Sequence, residues 1–317
     1  MLFNGAPANI MALAGLVFAF IMTCLLLVKC NDRLPKDQGR EFAVNGALSA
    51  GKPRGAGFIF ILVFIVSVVL FCELNTEIII YLVLLAAAMM TGFLDDCSRA
   101  PWGELKKGLL DFAIAVMVAI TFLNFNSNVV EFAIFGGSIT IPPVIFGILT
   151  VVLVWVSINV TNCSDGVDGL SGTLTIITLI SLYMVDQIKG MDPVFSHTIL
   201  LFVICILAYL WFNATPSKLM MGDAGSRAMG FFISIAALKT GSPFIYIPVA
   251  IVLILDGGLG LLKVSLLRFL KIRILVNTRT PLHDHVRKVM GWSNTQAVFR
   301  FAIIQIMISA AVIYLIM

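Results

Sequence analysis

Charge is scarce in this chain. Asp, Glu, Lys and Arg make up 12% of its 317 residues, while 60% are hydrophobic and the mean hydropathy is +1.05. Soluble domains hold about 45–50% apolar residues, so a water-soluble globular fold is excluded and a polytopic membrane protein is expected. The six cysteines (Cys24, Cys30, Cys72, Cys97, Cys163 and Cys205) are scattered in or beside apolar segments. They form no CxxC or Cys/His spacing, which argues against a zinc site or a disulfide framework and leaves them as small packing residues. Gly-x-Gly-x-x-Gly and P-loop patterns are missing as well. No nucleic-acid partner is expected.

Long apolar runs are abundant. They fall at about 10–28, 57–72, 78–94, 108–125, 142–158, 170–186, 197–213, 225–241, 243–270 and 295–316. Each approaches the roughly 20 residues that cross a bilayer. The expected fold is therefore all-α, a single membrane domain over 1–317 with about ten transmembrane helices. The first run has no basic stretch before it and no clear small-x-small cleavage site, so it reads as a retained helix. Of the 21 Lys and Arg, Lys189 and Lys239 fall near the ends assigned outside and Lys263 lies within the ninth run. The others lie in or beside the loops after runs one, three, five, seven and nine. By the positive-inside rule both termini are outside and five loops face the cytoplasm. Gly257-Gly258 is expected to bend the ninth helix. Outside, β-prone runs flanking Gly136-Gly137 read as a short hairpin.

The most polar interruption is Asn159 to Gly172, with two asparagines, two aspartates and three glycines between apolar runs. Asp165 and Asp168 are three apart and would share a face at a helix start. The simpler reading is a polar loop with Asp168 as N-cap of the next helix. Gly92-Phe-Leu-Asp95-Asp96 closes another span. Acids at this depth are costly and mark function by default. They can bind a cation, one can act as a base, or they pair with Lys106 or Lys107; Lys107 can also pair with Asp111 four residues on.

The first inward loop carries Arg33, Lys36, Arg40, Lys52 and Arg54 and ends Gly51-Lys-Pro-Arg-Gly-Ala-Gly57. It is either ordinary cationic anchoring or a glycine-rich loop that meets phosphate. Met220-Met-Gly-Asp223-Ala-Gly-Ser226 places one acid at a helix start, where it complements the dipole or holds Mg²⁺ shared with phosphate oxygens. Pro281-Leu-His283-Asp284-His285 and Gly291-Trp292 follow the ninth run. All these acids and histidines fall on the inward side, interleaved with Lys and Arg. That mixture suggests a metal-assisted phosphate site at the membrane surface.

Four motifs in this order, Gly92-Phe-Leu-Asp-Asp96, Asn162-x-x-Asp165-Gly-x-Asp168-Gly-Leu170, Met221-Gly-Asp-x-Gly-Ser226 and Pro281-Leu-His-x-His285 with Gly291-Trp292, carry a resemblance. The chain resembles the phospho-N-acetylmuramoyl-pentapeptide transferases, a branch of the polyprenyl-phosphate N-acetylhexosamine-1-phosphate transferases. The resemblance implies transfer of phospho-MurNAc-pentapeptide from UDP to undecaprenyl phosphate, giving lipid I and UMP, with Mg²⁺ as cofactor, in the bacterial inner membrane and as a homodimer. It implies Asp223 as the main Mg²⁺ ligand, with Asn162 a second. Asp165 would organise the metal and diphosphate region, and Asp95 and Asp96 would orient or deprotonate the lipid phosphate. Asp168, with Gly169 and Leu170, would face the uridine. His283 and His285 would lie near the sugar or diphosphate. Lys52, Lys106, Lys107, Asn213 and Met220 join the substrate-binding set, Asn213 lying ten residues before Asp223 as in the family.

The chain departs from the family at three points. Asp284 stands where the family's histidine motif has its middle histidine. The first loop has Lys52 and Arg54 in place of hydroxyls. Met220 stands where an aromatic often precedes Met-Gly-Asp. The rival readings are a sister enzyme that transfers GlcNAc-1-phosphate from UDP-GlcNAc and, more distantly, a proton-coupled transporter. A transporter would place its ionisable groups near the bilayer midplane, whereas these acids cluster at one face.

Overall fold

The structure is a computed structural model that describes residues 8–39, 49–98, 100, 102–190 and 192–317; Arg40 of the first loop lies outside the described residues. The helices are α1 (Ala8–Cys30), α2 (Ala56–Phe71), α3 (Thr76–Asp96), α4 (Glu104–Phe125), α5 (Pro143–Cys163), α6 (Leu170–Lys189), α7 (Pro193–Asn213) and α8 (Gly222–Lys239). They are followed by α9 (Pro243–Val249), α10 (Ile251–Leu270), α11 (Leu282–Lys288) and α12 (Asn294–Ile316). Side chains fix several starts. Asn75 accepts from Ile78 N at 2.8 Å ahead of α3, and Asp192 accepts from Phe195 N at 3.0 Å ahead of α7. Ser293 and Gln296 form a capping box on α12, and such caps satisfy amides that have no partner within the helix.

Every expected apolar run coincides with a helix or with the α9–α10 pair. Among the described residues, seven helices are long and apolar enough to cross a membrane, eight if the bent pair counts as one span. This is a multi-pass membrane protein. The two runs that fall short are α2, with 16 residues, and α8, which carries Asp223, Arg227 and Lys239. Arg227, grouped by sequence with the loop cations, is buried inside α8.

The bend in the ninth run is present, at 72° between α9 and α10. It sits at Ala250 rather than at the glycine pair. Residues 254–258 form a π-helical turn, a feature frequent at functional sites. Gly257 serves packing instead, since a Cβ there would lie 2.1 Å from Val160 O. The hairpin also forms: β1 (Val129–Glu131) pairs antiparallel with β2 (Ser138–Thr140), and Gly136 and Gly137 both take positive φ.

Helix α8 is the axis of the bundle. It is buried from Gly222 to Leu238, with α2, α3, α5 and α6 packed around it. Small residues let backbones meet there, as in membrane helix packing generally. A Cβ on Gly230 would lie 2.4 Å from Ser157 O of α5. The helices alternate in direction, and side-chain contacts mark the two ends. At one end, Lys239 at the close of α8 meets Glu77 at the start of α3 (3.0 Å) and Asp192 ahead of α7 (2.9 Å). The starts of α4, α6 and α8 and the ends of α3, α5 and α7 gather at the other.

Candidate functional site

The start of α8 is built by glycine and by an acid from α3. Gly222 has φ +69°, and a Cβ on it would sit 2.2 Å from Asp96 Oδ2. Asp96 Oδ1 and Oδ2 accept from the backbone amides of Asp223 and Ala224, each at 3.2 Å. The carboxylate thus caps a helix N-terminus from another helix, which suits both the unpaired amides and the dipole. Two motif glycines serve the same junction. A Cβ on Gly92 would lie 2.4 Å from Asp223 C, and one on Gly57 would lie 2.0 Å from Gly225 N. The backbone closes the first loop onto α8 as well, through Ala56 N to Met220 O (3.0 Å), Gly57 N to Met221 O (2.9 Å) and Met220 N to Pro53 O (2.8 Å). Met220 is therefore held by its main chain.

Two cations tie the carboxylates at this junction. Arg54 Nε lies 2.9 Å from Asp96 Oδ1, its Nη2 3.2 Å from Asp223 Oδ1 and its Nη1 3.6 Å from Asp37 Oδ1. Lys107 Nζ pairs with Asp95 Oδ2 and, at 3.0 Å, with Asp223 Oδ2. Asp95 Oδ1 accepts from Trp102 N at 2.6 Å. Burial opposes the Arg54 charge, but Asp96, Asp223, Asp37 and Asp165 prevail and hold the guanidinium above its ordinary value. Four carboxylates thus share two cations, a formal deficit of two positive charges.

The expected Asp95–Lys107 pairing is present. The alternative pairing of Lys107 with Asp111 is not: Asp111 goes to Arg227. Lys106 points elsewhere, its Nζ 3.3 Å from the centroid of the Trp102 ring, and Lys52 Nζ donates to Ser217 Oγ at 3.0 Å.

The Asn159–Gly172 stretch lies beside this cluster but is not a helical face. Asp165 and Asp168 sit in the turn between α5 and α6 and serve different partners. Asp165 Oδ1 accepts from Ser171 Oγ at 2.7 Å, whereas Asp168 Oδ2 accepts from Ser217 N at 3.2 Å. Asp168 is not the N-cap. That position is Gly169, at φ +83°, whose N–H donates to Asn213 Oδ1 at 2.8 Å. Asn213 also donates to Leu219 O at 2.9 Å, so it ties the α5–α6 turn to the strand of chain entering α8. Asn162 Oδ1 accepts from Ser226 Oγ at 3.0 Å. Leu170 is fully buried in the hydrophobic core.

The histidines separate. His283 is buried and is held by Asp256, itself fully buried, from the π-helical turn of α10. Asp256 Oδ1 accepts from His283 N at 2.7 Å, and Asp256 Oδ2 lies 2.8 Å from His283 Nδ1. The far ring nitrogen faces the Asp165–Asp168 turn, since a Cβ on Gly166 would lie 2.2 Å from His283 Nε2. His285 Nδ1 instead accepts from Arg279 N at 3.3 Å. Asp284 pairs within its own helix, with Arg287 at 3.7 Å and Lys288 at 3.2 Å. Burial lowers Arg287 from its ordinary value, and Asp284 and Asp168 offset this only in part.

Residue patterns did not single out Arg54, Asp37, Asp256, Arg287 or Ser226 as site residues. Asp256 carried a signal, an acid inside an apolar run. Asp37 carried none that distinguishes it from a loop acid.

The donor set suits a hard divalent cation. Mg²⁺ takes oxygen ligands and is commonly held by one or two carboxylates plus substrate phosphates and water. Among the described residues no three of His, Cys, Asp and Glu converge as a closed metal cage. Each Asp223 oxygen meets one cationic nitrogen, and a carboxylate oxygen has a second acceptor direction. Asp223 can therefore accept a metal beside its present partners, and Asn162 Oδ1 lies on the Ser226 hydroxyl one turn along the same helix.

Comparison with known proteins agrees with this layout. The family model described as glycosyl transferase family 4 matches residues 78–241. A phospho-N-acetylmuramoyl-pentapeptide-transferase of Treponema pallidum (strain Nichols) is 40% identical over 309 residues, 92% of this chain and 85% of that protein. The protein so named in Fervidobacterium nodosum is 27% identical over 308 residues, 93% of this chain and 94% of its own. That of Helicobacter pylori (strain Shi470) is 25% identical over 322 residues, 92% and 90% respectively. With charges, glycine contacts and chain order all in place at the ends of α3, α5 and α7, the chain belongs to the phospho-N-acetylmuramoyl-pentapeptide transferases of glycosyl transferase family 4.

Proposed function

We propose that the protein transfers phospho-MurNAc-pentapeptide from UDP-MurNAc-pentapeptide to undecaprenyl phosphate, releasing UMP and forming lipid I for peptidoglycan synthesis. A phosphate oxygen of the lipid forms a P–O bond to the sugar-bearing phosphorus, and the P–O bond to UMP breaks. Both reactants are anions, so the reaction needs positive charge at their meeting point and little covalent help from the protein. The observation that carries the reading is the carboxylate cluster of Asp37, Asp95, Asp96 and Asp223, which two cations leave two charges short.

Mg²⁺ fits that deficit, held by Asp223 with Asn162, and when bound it supplies charge neutralisation at the diphosphate. Arg54 and Lys107 turn from their carboxylates to phosphate oxygens, and Lys52 and Lys106 flank them. Asp95 and Asp96 orient the lipid phosphate or take its proton. Asp165 organises the metal and diphosphate region. Asp168, with Gly169, Leu170, Asn213 and Met220, frames the uridine side. Asp256 fixes His283 with its far nitrogen toward the Asp165–Asp168 turn, and His285 stands near the sugar phosphate. We place the protein in the bacterial inner membrane with ten crossings, both termini outside and the site cytoplasmic, as the positive-inside rule supports. A homodimer rests on the family resemblance.

Purified protein with undecaprenyl phosphate and Mg²⁺ tests the reading. UMP release with UDP-MurNAc-pentapeptide, and not with UDP-GlcNAc, abolished by EDTA, is the expected outcome. Release with UDP-GlcNAc alone would move the chain to the sister reaction. Release with neither donor, in folded protein, would overturn the transferase reading.

A further inference from the structure

Helices α4 and α8 both start at the site end and run away from it. Each carries two opposite charges four residues apart, Lys107 and Asp111 on one and Asp223 and Arg227 on the other, so each pair lies on one helix face. The four make two rungs. The outer rung is Lys107 Nζ to Asp223 Oδ2 at 3.0 Å, at the edge of the site. The inner rung is Arg227 Nη2 to Asp111 Oδ1, with the polarity reversed, and both residues are 1% exposed. Asn159 Nδ2 reaches Asp111 Oδ2 at 3.4 Å. Arg227 Nε meets no acceptor among the described residues, and Asp111 is the ion-pair partner of the guanidinium.

Stability does not account for the inner rung, because apolar residues of similar volume in place of a buried ion pair are often neutral or stabilising. Register does. Sliding α8 by one turn along α4 would set Asp223 against Asp111, or Arg227 against Lys107, and like charges at that depth repel strongly. We propose that Arg227 and Asp111 are positioning residues, a buried register lock that holds Asp223 opposite Lys107 for the phosphoryl transfer. The proposal rests on the transferase reading above.

The test uses the full-length protein as Arg227→Met, Asp111→Leu, the double variant and Arg227→Lys. Thermal stability, kcat, KM for the UDP donor and hydrogen exchange of residues 222–226 are measured. Each apolar single variant strands a buried charge and lowers Tm. The double variant regains Tm, yet its kcat stays about 100-fold below wild type, KM changes little, and residues 222–226 lose protection. A double variant with wild-type kcat and protection overturns the proposal, since the pair is then structural only. If the double variant does not fold, Arg227→Lys decides. Its cation reaches less far, so kcat falls about tenfold, and wild-type kcat there overturns the proposal. If the wild type releases no UMP, the transferase reading fails, and exchange at 222–226 still decides the register lock.

Discussion

The two polar ends of the bundle use the same residue types to different effect. At the end away from the site, Glu77, Asp192 and Glu131 share Lys239 and Lys189. Neutral groups complete that network: Glu77 Oε1 accepts from Tyr81 Oη at 3.0 Å and Asn126 Nδ2 at 2.6 Å, and Ser242 Oγ accepts from Lys189 Nζ at 2.7 Å. Its members pin helix ends to one another and to the hairpin. At the site end, Asp96 instead spends its oxygens on the backbone of α8, and Arg54 and Lys107 are each divided among several acids. One end is closed by its own hydrogen bonds. The other is assembled around a larger shortage of positive charge, two against one, which a divalent cation would meet. A charge network becomes a site through what it leaves unbalanced.

Breaking the comparison at Asp223 has the largest effect. Asp223→Ala removes the acid shared by both site cations, and turnover falls on the order of 10³-fold while Tm stays near wild type; undiminished UMP release would take Asp223 out of the metal role. Asp256→Asn comes next. It frees the orientation of His283 without touching the carboxylate cluster and lowers kcat about 100-fold, with donor KM nearly unchanged; an unaltered kcat would show that the histidine needs no support.

The opposite end responds in the other observable. Lys239→Ala leaves Glu77 and Asp192 without their cation and destabilises by about 3 kcal/mol, read as a lower Tm, whereas kcat at a temperature where the variant is folded is unchanged. A kcat loss matching that of the site variants would erase the distinction between the ends. The smallest effect belongs to Lys106→Ala. An exposed cation stacked on Trp102 is worth under about 1 kcal/mol, so donor KM rises no more than a few-fold; a large KM increase would place Lys106 at the diphosphate itself.

Apolar run lengths were enough to locate the long helices of the bundle, and the β-prone runs around Gly136-Gly137 the hairpin, because helix spacing and bilayer thickness are local constraints that a single run must meet; the split of the ninth run and the short helix α11 were not marked. The motif stretches were legible for the same reason: acids, glycines and histidines interrupt an otherwise apolar chain. The Asp95–Lys107 pairing was legible too, but the other pairings of acid with cation were not. Lys107 and Asp111 satisfy the four-residue rule for a helical pair, yet Asp111 goes to Arg227 and Lys107 to Asp95 and Asp223, the two α8 partners each lying 116 residues away. Asp168 looked like a cap and holds Ser217 instead. Arg54, read either as loop anchoring or as part of a phosphate-binding loop, joins Asp223 across 169 residues of chain. The bend fell at Ala250, whose φ of −123° and ψ of 15° leave the helix, and not at the glycine pair, where Gly257 gives close contact with Val160. The sequence by itself determined where the helices lie and which residue types reach the interface. Only the tertiary structure decided their partners, since a buried charge goes to whichever opposite charge the packed backbone brings within reach.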